Sequence, residues 1–318
     1  RAAERECWIV HGTPAWSLGN KGPRPWTQHH ADLGLHWRWG SATRVTIGAS
    51  RSAYDVGYAM PNSALTDAAG NPVFSGAVSP AGTTGTRLSL AATDWFTPTP
   101  SGESDERLYA RLAHRFDDGT QLALRLGLLR HRFTFSQATA GRASYAEGPG
   151  EVTEQPNRRL DLELSLRRRF SPTWAVTGGV SLNRGELDRR TAALPNWRDQ
   201  DIVGATTTAA SGRSDAIALF GQVEHRLTDA LTGYLGARVD RFETRGSVSQ
   251  ATAPAFAVDY PKHSFSQTSP KAALVWQLSP AWSLRGSYGE AFRPPALLDL
   301  YSRTLVPSAT AGTVAINE

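Results

Sequence analysis

Residues 107–128 read RLYARLAHRFDDGTQLALRLGL, which is two alternating segments on either side of the tripeptide Asp117-Asp118-Gly119. Successive side chains of a β-strand point to opposite faces, so the leucines share one face and the arginines share the other. An Asp-Gly pair between two alternating segments is a strong signal for a β-hairpin. The stretch therefore predicts a long hairpin with one aliphatic face and one polar face.

The same design recurs along the chain. It returns at residues 158–187, 215–243 and 270–289, and a weaker copy surrounds Gly40-Ser41. The tight turns of the three later copies fall at Ser171-Pro172, Thr228-Asp229 and Ser279-Pro280. Five hairpins predict about ten strands of about 10 to 14 residues, which is longer than the five or six residues usual in globular sheets.

The connections between the hairpins are long and rich in Gly, Ser, Thr, Ala and Pro, at residues 58–104, 136–156, 188–213 and 245–264. Short turns that alternate with long loops are typical of outer-membrane barrels, where the turns face the periplasm and the loops face outside. Several tryptophans lie within about four residues of a short turn, where an aromatic girdle would meet the membrane surface. They are Trp37, Trp39, Trp174, Trp276 and Trp282. These features predict an all-β fold, an antiparallel transmembrane β-barrel.

Composition agrees with a barrel and argues against several other classes. The mean hydropathy is −0.36 and no apolar run approaches the length that a transmembrane helix needs, about 18 residues. The net charge is +5, but the basic residues are scattered along the strands, so no nucleic-acid partner is expected. The single cysteine, Cys7, excludes an intramolecular disulfide and a cysteine metal cluster. No common catalytic motif is present, so we expect neither an enzyme nor a bound cofactor or metal.

The most specific pattern stands near the C-terminus. A strand that begins at Ser269-Pro270-Lys271 and its return strand lead to Phe292-Arg293-Pro294-Pro295, and Leu298-Asp299-Leu300-Tyr301 follows. This order resembles the barrel signature of TonB-dependent receptors, in which a strand that ends in Phe-Arg-Ala/Pro-Pro leads to a Glu/Asp-Leu-Tyr segment. From the residues alone, the two prolines end strand pairing, and Arg293 and Asp299 are available for a polar contact.

The resemblance implies an outer-membrane barrel of about 22 strands in a Gram-negative bacterium, with an N-terminal plug in its lumen. It also implies import energised by the TonB complex, which would act on a region N-terminal to this chain. Residues 1–318 are then expected to be a partial barrel domain without the plug and the C-terminal strands. Two unpaired sheet edges would make such a piece aggregate on its own. Expected partners are TonB, outer-membrane lipid with lipopolysaccharide, and an iron-chelate ligand.

The resemblance makes a ferric siderophore or a similar metal chelate the expected cargo. Receptors of this type that import haem carry a histidine after the Phe-Arg-x-Pro box, and residues 296–316 contain none. Inward-facing arginines would suit an anionic chelate, although the ordinary role of such a residue is to pair with plug carboxylates or to line water. These arginines are Arg107, Arg111, Arg115, Arg125, Arg159, Arg167 and Arg169. Loop residues proposed to meet the cargo are Trp197, Arg198, Tyr260, Lys262 and His263, because aromatic and basic groups suit flat or anionic chelates.

Other functions share the same strand pattern. A passive porin-like or adhesin barrel would have the same alternation and girdle, but it would not account for the Phe292 to Tyr301 signature. A TonB-dependent receptor for cobalamin or a carbohydrate would share the signature as well. A soluble β-rich binding protein would need to bury its leucine faces against a second sheet.

Overall fold

The computed structural model of the chain describes residues 8–11, 16–58, 60–79, 87–96, 100–139, 143–144, 146–308 and 312–316. Ten strands form one antiparallel sheet, and each strand pairs with its neighbours in chain order. They are β1 (Trp26–Trp39), β2 (Thr43–Val56), β3 (Ser101–Arg115), β4 (Gln121–Ala138), β5 (Gly150–Arg169), β6 (Trp174–Leu194), β7 (Thr206–Arg226), β8 (Leu231–Gln250), β9 (Phe256–Ser279) and β10 (Trp282–Gly289). The predicted all-β class and the ten strands are confirmed.

Smaller elements lie outside this sheet. Strands Trp8–His11, Trp16–Asn20 and Asn62–Ser63 form a small sheet, and two further pairs join Gly76–Val78 to Leu88–Leu90 and Thr304–Ser308 to Gly312–Ile316. A 3₁₀ turn spans Ala92–Trp95, and one α-helix, α1, spans Leu297–Tyr301. Within the described ranges, no helix has the length and apolarity required to cross a membrane.

All five tight turns lie where the sequence predicts them. Gly40 and Gly119 adopt φ angles of 61° and 78°, a left-handed conformation that glycine tolerates best. The carboxylate of Asp118 accepts a hydrogen bond of 2.9 Å from the backbone N–H of Thr120, and this bond lowers the pKa of Asp118 below its ordinary value. The hydroxyl of Ser171 accepts a similar bond from the backbone N–H of Trp174, the first residue of β6. These local bonds close each hairpin at the same end of the sheet.

At the other end of the sheet, three of the four predicted loops are much shorter than expected. Strand β6 runs on to Leu194 and β7 starts at Thr206, so most of 188–213 is strand. Only 139–149 and 251–255 remain as connections within the predicted loops 136–156 and 245–264. The strands therefore reach 14 to 24 residues, except for β10, which has 8. The sequence prediction failed here because these extensions lack the regular alternation of leucines with charged residues, although their backbone ladders continue.

The leucines of the alternating segments lie on one exposed face, which we call the outward face. A continuous apolar row crosses the sheet through cross-strand neighbours, from Leu126 through Leu162 and Leu182 to Ile217. Leu219 and Leu235 on the same face are 69% and 68% exposed, and no second sheet covers them in the described part of the chain. The predicted girdle tryptophans are also exposed and lie near the tight turns. This exposure is the arrangement that a lipid-facing surface requires.

The packed core lies among the connections at the end of the sheet opposite the tight turns. Its buried members are Leu18, Leu90, Trp95, Phe96 and Trp197. The long connection between β2 and β3, which remains long as predicted, supplies three of them. The sheet itself contributes little to this core, because most of its leucines lie on the exposed outward face.

Candidate functional site

The face opposite the leucines, called here the inward face, is lined by small, polar and aromatic side chains. One cross-strand row runs from Tyr109 through Gly127, Asp161 and Asn183 to Ala216. Because the outward face is aliphatic along its band of leucines, the two faces differ sharply in polarity at that level of the sheet. Such a difference is typical of a wall that separates hydrocarbon from water.

The C-terminal signature crosses this inward face. After β10, the backbone N–H of Glu290 donates to the carbonyl of Pro270 at 3.0 Å, and the chain then leaves the sheet. The ring of Phe292 lies 5.4 Å from the rings of both Phe242 and Phe265, which project from β8 and β9. Pro294 and Pro295 follow, and both line the cavity that is described below. The signature thus forms an aromatic anchor rather than a continuation of the strand.

A cavity of about 760 Å³ lies between this segment and the inward face of the sheet, which we call the wall. Its lining includes Arg159, Asn183, Arg238, Asp240 and Lys271. The Arg238 guanidinium pairs with Asp240 at 2.8 Å and also donates to the hydroxyl of Ser181 at 2.9 Å. The cavity is therefore polar on the wall side and aromatic on the Phe292 side, which suits an amphipathic or charged small molecule.

Tyr301 fastens helix α1 to the wall. It is 5% exposed, and its ring lies 5.5 Å from that of Tyr260. The ring packs over Gly212 and Gly246, where an added Cβ would stand 2.7 Å and 2.6 Å from ring atoms. Two glycines on neighbouring strands thus create the depression that receives the tyrosine.

Replacing Gly246 by alanine should loosen α1. The new methyl group would overlap the Tyr301 ring and the carbonyl of Ser211, so the docking of α1 should weaken by about 1 to 3 kcal/mol. Amide hydrogen exchange at residues 297–301 of the complete protein measures this change. Gly286→Ala is the matched control, because nothing lies within 4 Å of its added Cβ. Equal exchange in both variants would contradict the docking role of Tyr301.

The other signature residues are less constrained. Arg293 and Asp299 are exposed, and in the described part of the chain they form no ion pair with each other or with a third group. Leu300 lies on α1 and is also exposed. The aromatic residues Phe292 and Tyr301 therefore hold the segment in place, and the polar pair does not.

The predicted inward arginines are mostly neutralised by the wall itself. The ion pairs are Arg107 with Asp105 at 3.4 Å, Arg125 with Glu163 at 3.3 Å, Arg159 with Asp161 at 2.9 Å, and Arg167 and Arg169 with Glu224 at 2.8 Å and 3.8 Å. Within the described ranges, Arg111 and Arg115 have no such pair, and Arg111 lies over the ring of Tyr109 at 5.6 Å. The positive charge available to a ligand is therefore smaller than the number of arginines indicates.

One group on the inward face has the donors of a metal site. The Nδ1 atom of His131 lies 3.0 Å from a carboxylate oxygen of Asp105 and 3.9 Å from one of Glu103. The three ligand atoms lie within 4.8 Å of one another, and imidazole with carboxylates suits divalent transition metals. Arg107 competes for Asp105. Sequence reasoning missed this group because His131 and Asp105 stand 26 residues apart on paired strands.

Trp197 and Arg198 lie in the connection between β6 and β7, as predicted. Trp197 is only 1% exposed: its ring stacks on Phe96 at 5.3 Å, and its indole N–H donates to the carbonyl of Ser144 at 3.0 Å. The Arg198 guanidinium lies 4.0 Å from the ring centre of Tyr58. Trp197 therefore offers almost no surface to a ligand in this conformation. It joins three connections into one cap over the end of the sheet.

The other three cargo candidates were predicted in a loop, and this prediction was wrong. Tyr260, Lys262 and His263 belong to β9. Tyr260 and His263 pair with inward-facing positions of β8, whereas Lys262 donates to outward-facing Glu243 at 2.6 Å. The structure therefore does not bring the five candidates together. The aromatic composition of the connections, with Tyr58, Phe96 and Trp197, is the signal that could have revealed the cap.

Comparison with known proteins agrees with this geometry. Residues 38–317 match the family described as TonB dependent receptor-like, beta-barrel. No curated protein sequence matches the chain. The copper transporter OprC superposes with a TM-score of 0.56 at 11% identity, over 92% of this chain and 40% of that one. The ferric yersiniabactin uptake receptor FyuA from Yersinia pestis gives a TM-score of 0.54 at 11% identity, over 89% of this chain and 40% of that one.

A third solved structure, the ferripyoverdine receptor of the outer membrane of Pseudomonas aeruginosa, gives a TM-score of 0.54 at 15% identity, over 87% of this chain and 36% of that one. At these identities the structures establish the fold alone. The chain spans about two fifths of the length of these proteins. The family match covers most of the chain, and the ten-stranded sheet with its exposed leucine face agrees with it. The chain belongs to the TonB-dependent receptor-like β-barrel family and is part of an outer-membrane barrel of a Gram-negative bacterium.

Proposed function

We propose that the complete protein imports a metal chelate of the ferric siderophore class and that the TonB complex energises this import. The observation that carries the proposal is the Phe292–Tyr301 segment, which folds across the inward face and encloses a polar, charged cavity. A segment anchored within the lumen narrows a pore, so it favours gated transport over free diffusion. The family match supports the same conclusion.

The chemistry of the wall supports a polar cargo with negative charge. Lys271 lines the cavity, and Arg111 and Arg115 elsewhere on the wall have no carboxylate partner in the described residues. Positive groups in a narrow lumen raise the local concentration of anions. Solved structures of the same fold include receptors named for ferric yersiniabactin and ferripyoverdine, a ferric citrate transporter and a copper transporter. Each of these names includes a metal.

Uptake by intact cells tests the proposal. Cells that produce the complete protein should accumulate radiolabelled iron from a ferric siderophore under iron limitation. An uncoupler of the proton gradient, or loss of the TonB complex, should abolish this accumulation. Uptake that persists without TonB would favour a passive porin-like barrel, and uptake of cobalamin or an oligosaccharide instead of any ferric chelate would replace the cargo class.

Replacing Arg111 by glutamine should reduce uptake of an anionic chelate by roughly threefold or more at low ionic strength, because an unpaired positive charge is removed from the wall. Initial uptake rates at two salt concentrations provide the measurement. Arg168→Gln is the charge-matched control, because Arg168 pairs with Asp118 at a tight turn, away from the cavity. Equal losses in the two variants would show that the inward position of Arg111 is unimportant for uptake.

A further inference from the structure

The outward face carries a groove where its apolar band ends, on the side away from the tight turns. The groove has a volume of about 680 Å³ and crosses β1 to β6. Its floor includes Leu33, Leu108, Leu128 and Leu160, and arginines line one edge. Leu108, Leu128 and Leu160 are direct cross-strand neighbours on β3, β4 and β5. A continuous aliphatic floor thus meets a charged rim.

Arg130 and Arg158 stand at the centre of this rim. They are cross-strand partners on β4 and β5, one step beyond the Leu128 and Leu160 pair on the same face. Both are exposed, and neither forms an ion pair within the described part of the chain. Like charges directly opposite each other on one face of a sheet are destabilising. An anion held between the two guanidinium groups would remove that cost.

The flanks of the rim differ from its centre because carboxylates neutralise them. On one side, Arg51 lies 4.0 Å from Glu106. On the other side, Arg184 pairs with Asp215 at 2.6 Å, and Arg213 pairs with the same carboxylate at 2.8 Å. Unbalanced positive charge is therefore concentrated at Arg130 and Arg158.

Arg132 adds a further exposed positive charge two residues beyond Arg130, on the same face of β4. The charged row also contains Glu106 and Glu186, which are the register neighbours of Arg130 and Arg158. Within this row the arginines still outnumber the carboxylates, so a multiply charged anion fits better than a cation.

We propose that this groove binds an anionic membrane lipid, with its phosphates on Arg130 and Arg158 and its acyl chains on Leu108, Leu128 and Leu160. The leucine floor favours a lipid over a free anion, because acyl chains gain free energy by covering an aliphatic surface and a soluble phosphate does not. The groove lies near the middle of the strands, on the long-connection side of the apolar band, so the lipid belongs to the outer leaflet. The proposal concerns the opposite face from the cavity and does not depend on the cargo.

Binding of purified lipopolysaccharide to the complete protein in nonionic detergent tests this inference, with native mass spectrometry as the readout. The double variant Arg130→Gln, Arg158→Gln should bind about 30-fold more weakly, at about 1 kcal/mol for each basic residue near a lipid surface. Dephosphorylated lipopolysaccharide should bind wild type and double variant equally weakly. Arg158→Lys should retain most of the binding, because the charge remains.

Arg125→Gln, Arg167→Gln is the matched control. It removes two arginines from the same strands, but both face inward and both are already paired. Heat-dependent electrophoretic mobility shows that each variant is folded. Three results would overturn the proposal: an unchanged affinity in the Arg130 and Arg158 double variant, an equal loss in the control, or full displacement of the lipid by millimolar inorganic phosphate.

Discussion

Replacing Trp197 by alanine should open the cap over the end of the sheet. Phe96, Tyr58 and Ser144 all contact Trp197, so its loss would leave a large cavity between three connections. Truncation of a buried tryptophan costs about 3 to 5 kcal/mol, and here the loss should appear as local opening rather than global unfolding. Limited proteolysis within residues 57–100 of the complete protein measures the opening.

Two further variants serve as a partial rescue and a control for this substitution. Trp197→Phe keeps a ring against Phe96 and should recover part of the protection. Ile202→Ala changes an exposed apolar residue in the same connection, so its effect should stay within about 0.5 kcal/mol. If Trp197→Ala left proteolysis unchanged but abolished ligand binding, Trp197 would be a contact residue and the role in the cap would be rejected.

Replacing Leu164 by arginine should strongly destabilise the barrel. Leu164 lies on the outward face between Leu124 and Val180, near the middle of the apolar band. An arginine on the lipid face near the membrane midplane costs about 2 to 4 kcal/mol. Urea unfolding of the complete protein in phospholipid vesicles, followed by tryptophan fluorescence, measures the free energy of unfolding.

Ser165→Arg is the matched control for that substitution. Ser165 is the next residue of β5 and faces inward, between Ala123 and Gly179. A charge at this position meets water, so its cost should remain below about 1 kcal/mol. Similar costs at positions 164 and 165 would show that the two faces of β5 do not meet different solvents.

Sequence patterns predicted the part of each strand that has two unlike faces. The leucines from Leu160 to Leu166 alternate with polar residues, and the structure has the same alternation in β5. The alternation is lost beyond such segments, so residues 188–194 and 206–213 were predicted as loop although they extend β6 and β7. Backbone hydrogen bonding to a long neighbour continues without any periodic signal.

The candidate site was harder to predict, because it depends on residues that are distant in sequence. Phe292 and Tyr301 stand out in the sequence, but their receiving surfaces, such as Phe242 and Gly246, do not. Trp197 was expected to meet cargo because it is aromatic and lies in a loop, yet its burial depends on Phe96, about a hundred residues earlier. Tertiary contacts of this kind have no local signature in a single sequence.

Nitroxide labels placed one at a time along residues 160–167 of β5, in the complete protein in lipid, test the central claim most directly. Labels at even-numbered positions should collide with oxygen dissolved in hydrocarbon, and labels at odd-numbered positions should collide with a water-soluble nickel chelate. Alternating accessibility would confirm that the leucine face meets lipid and the opposite face meets water. Even-numbered positions protected from both reagents would place the leucines in a dry protein interior and contradict the barrel.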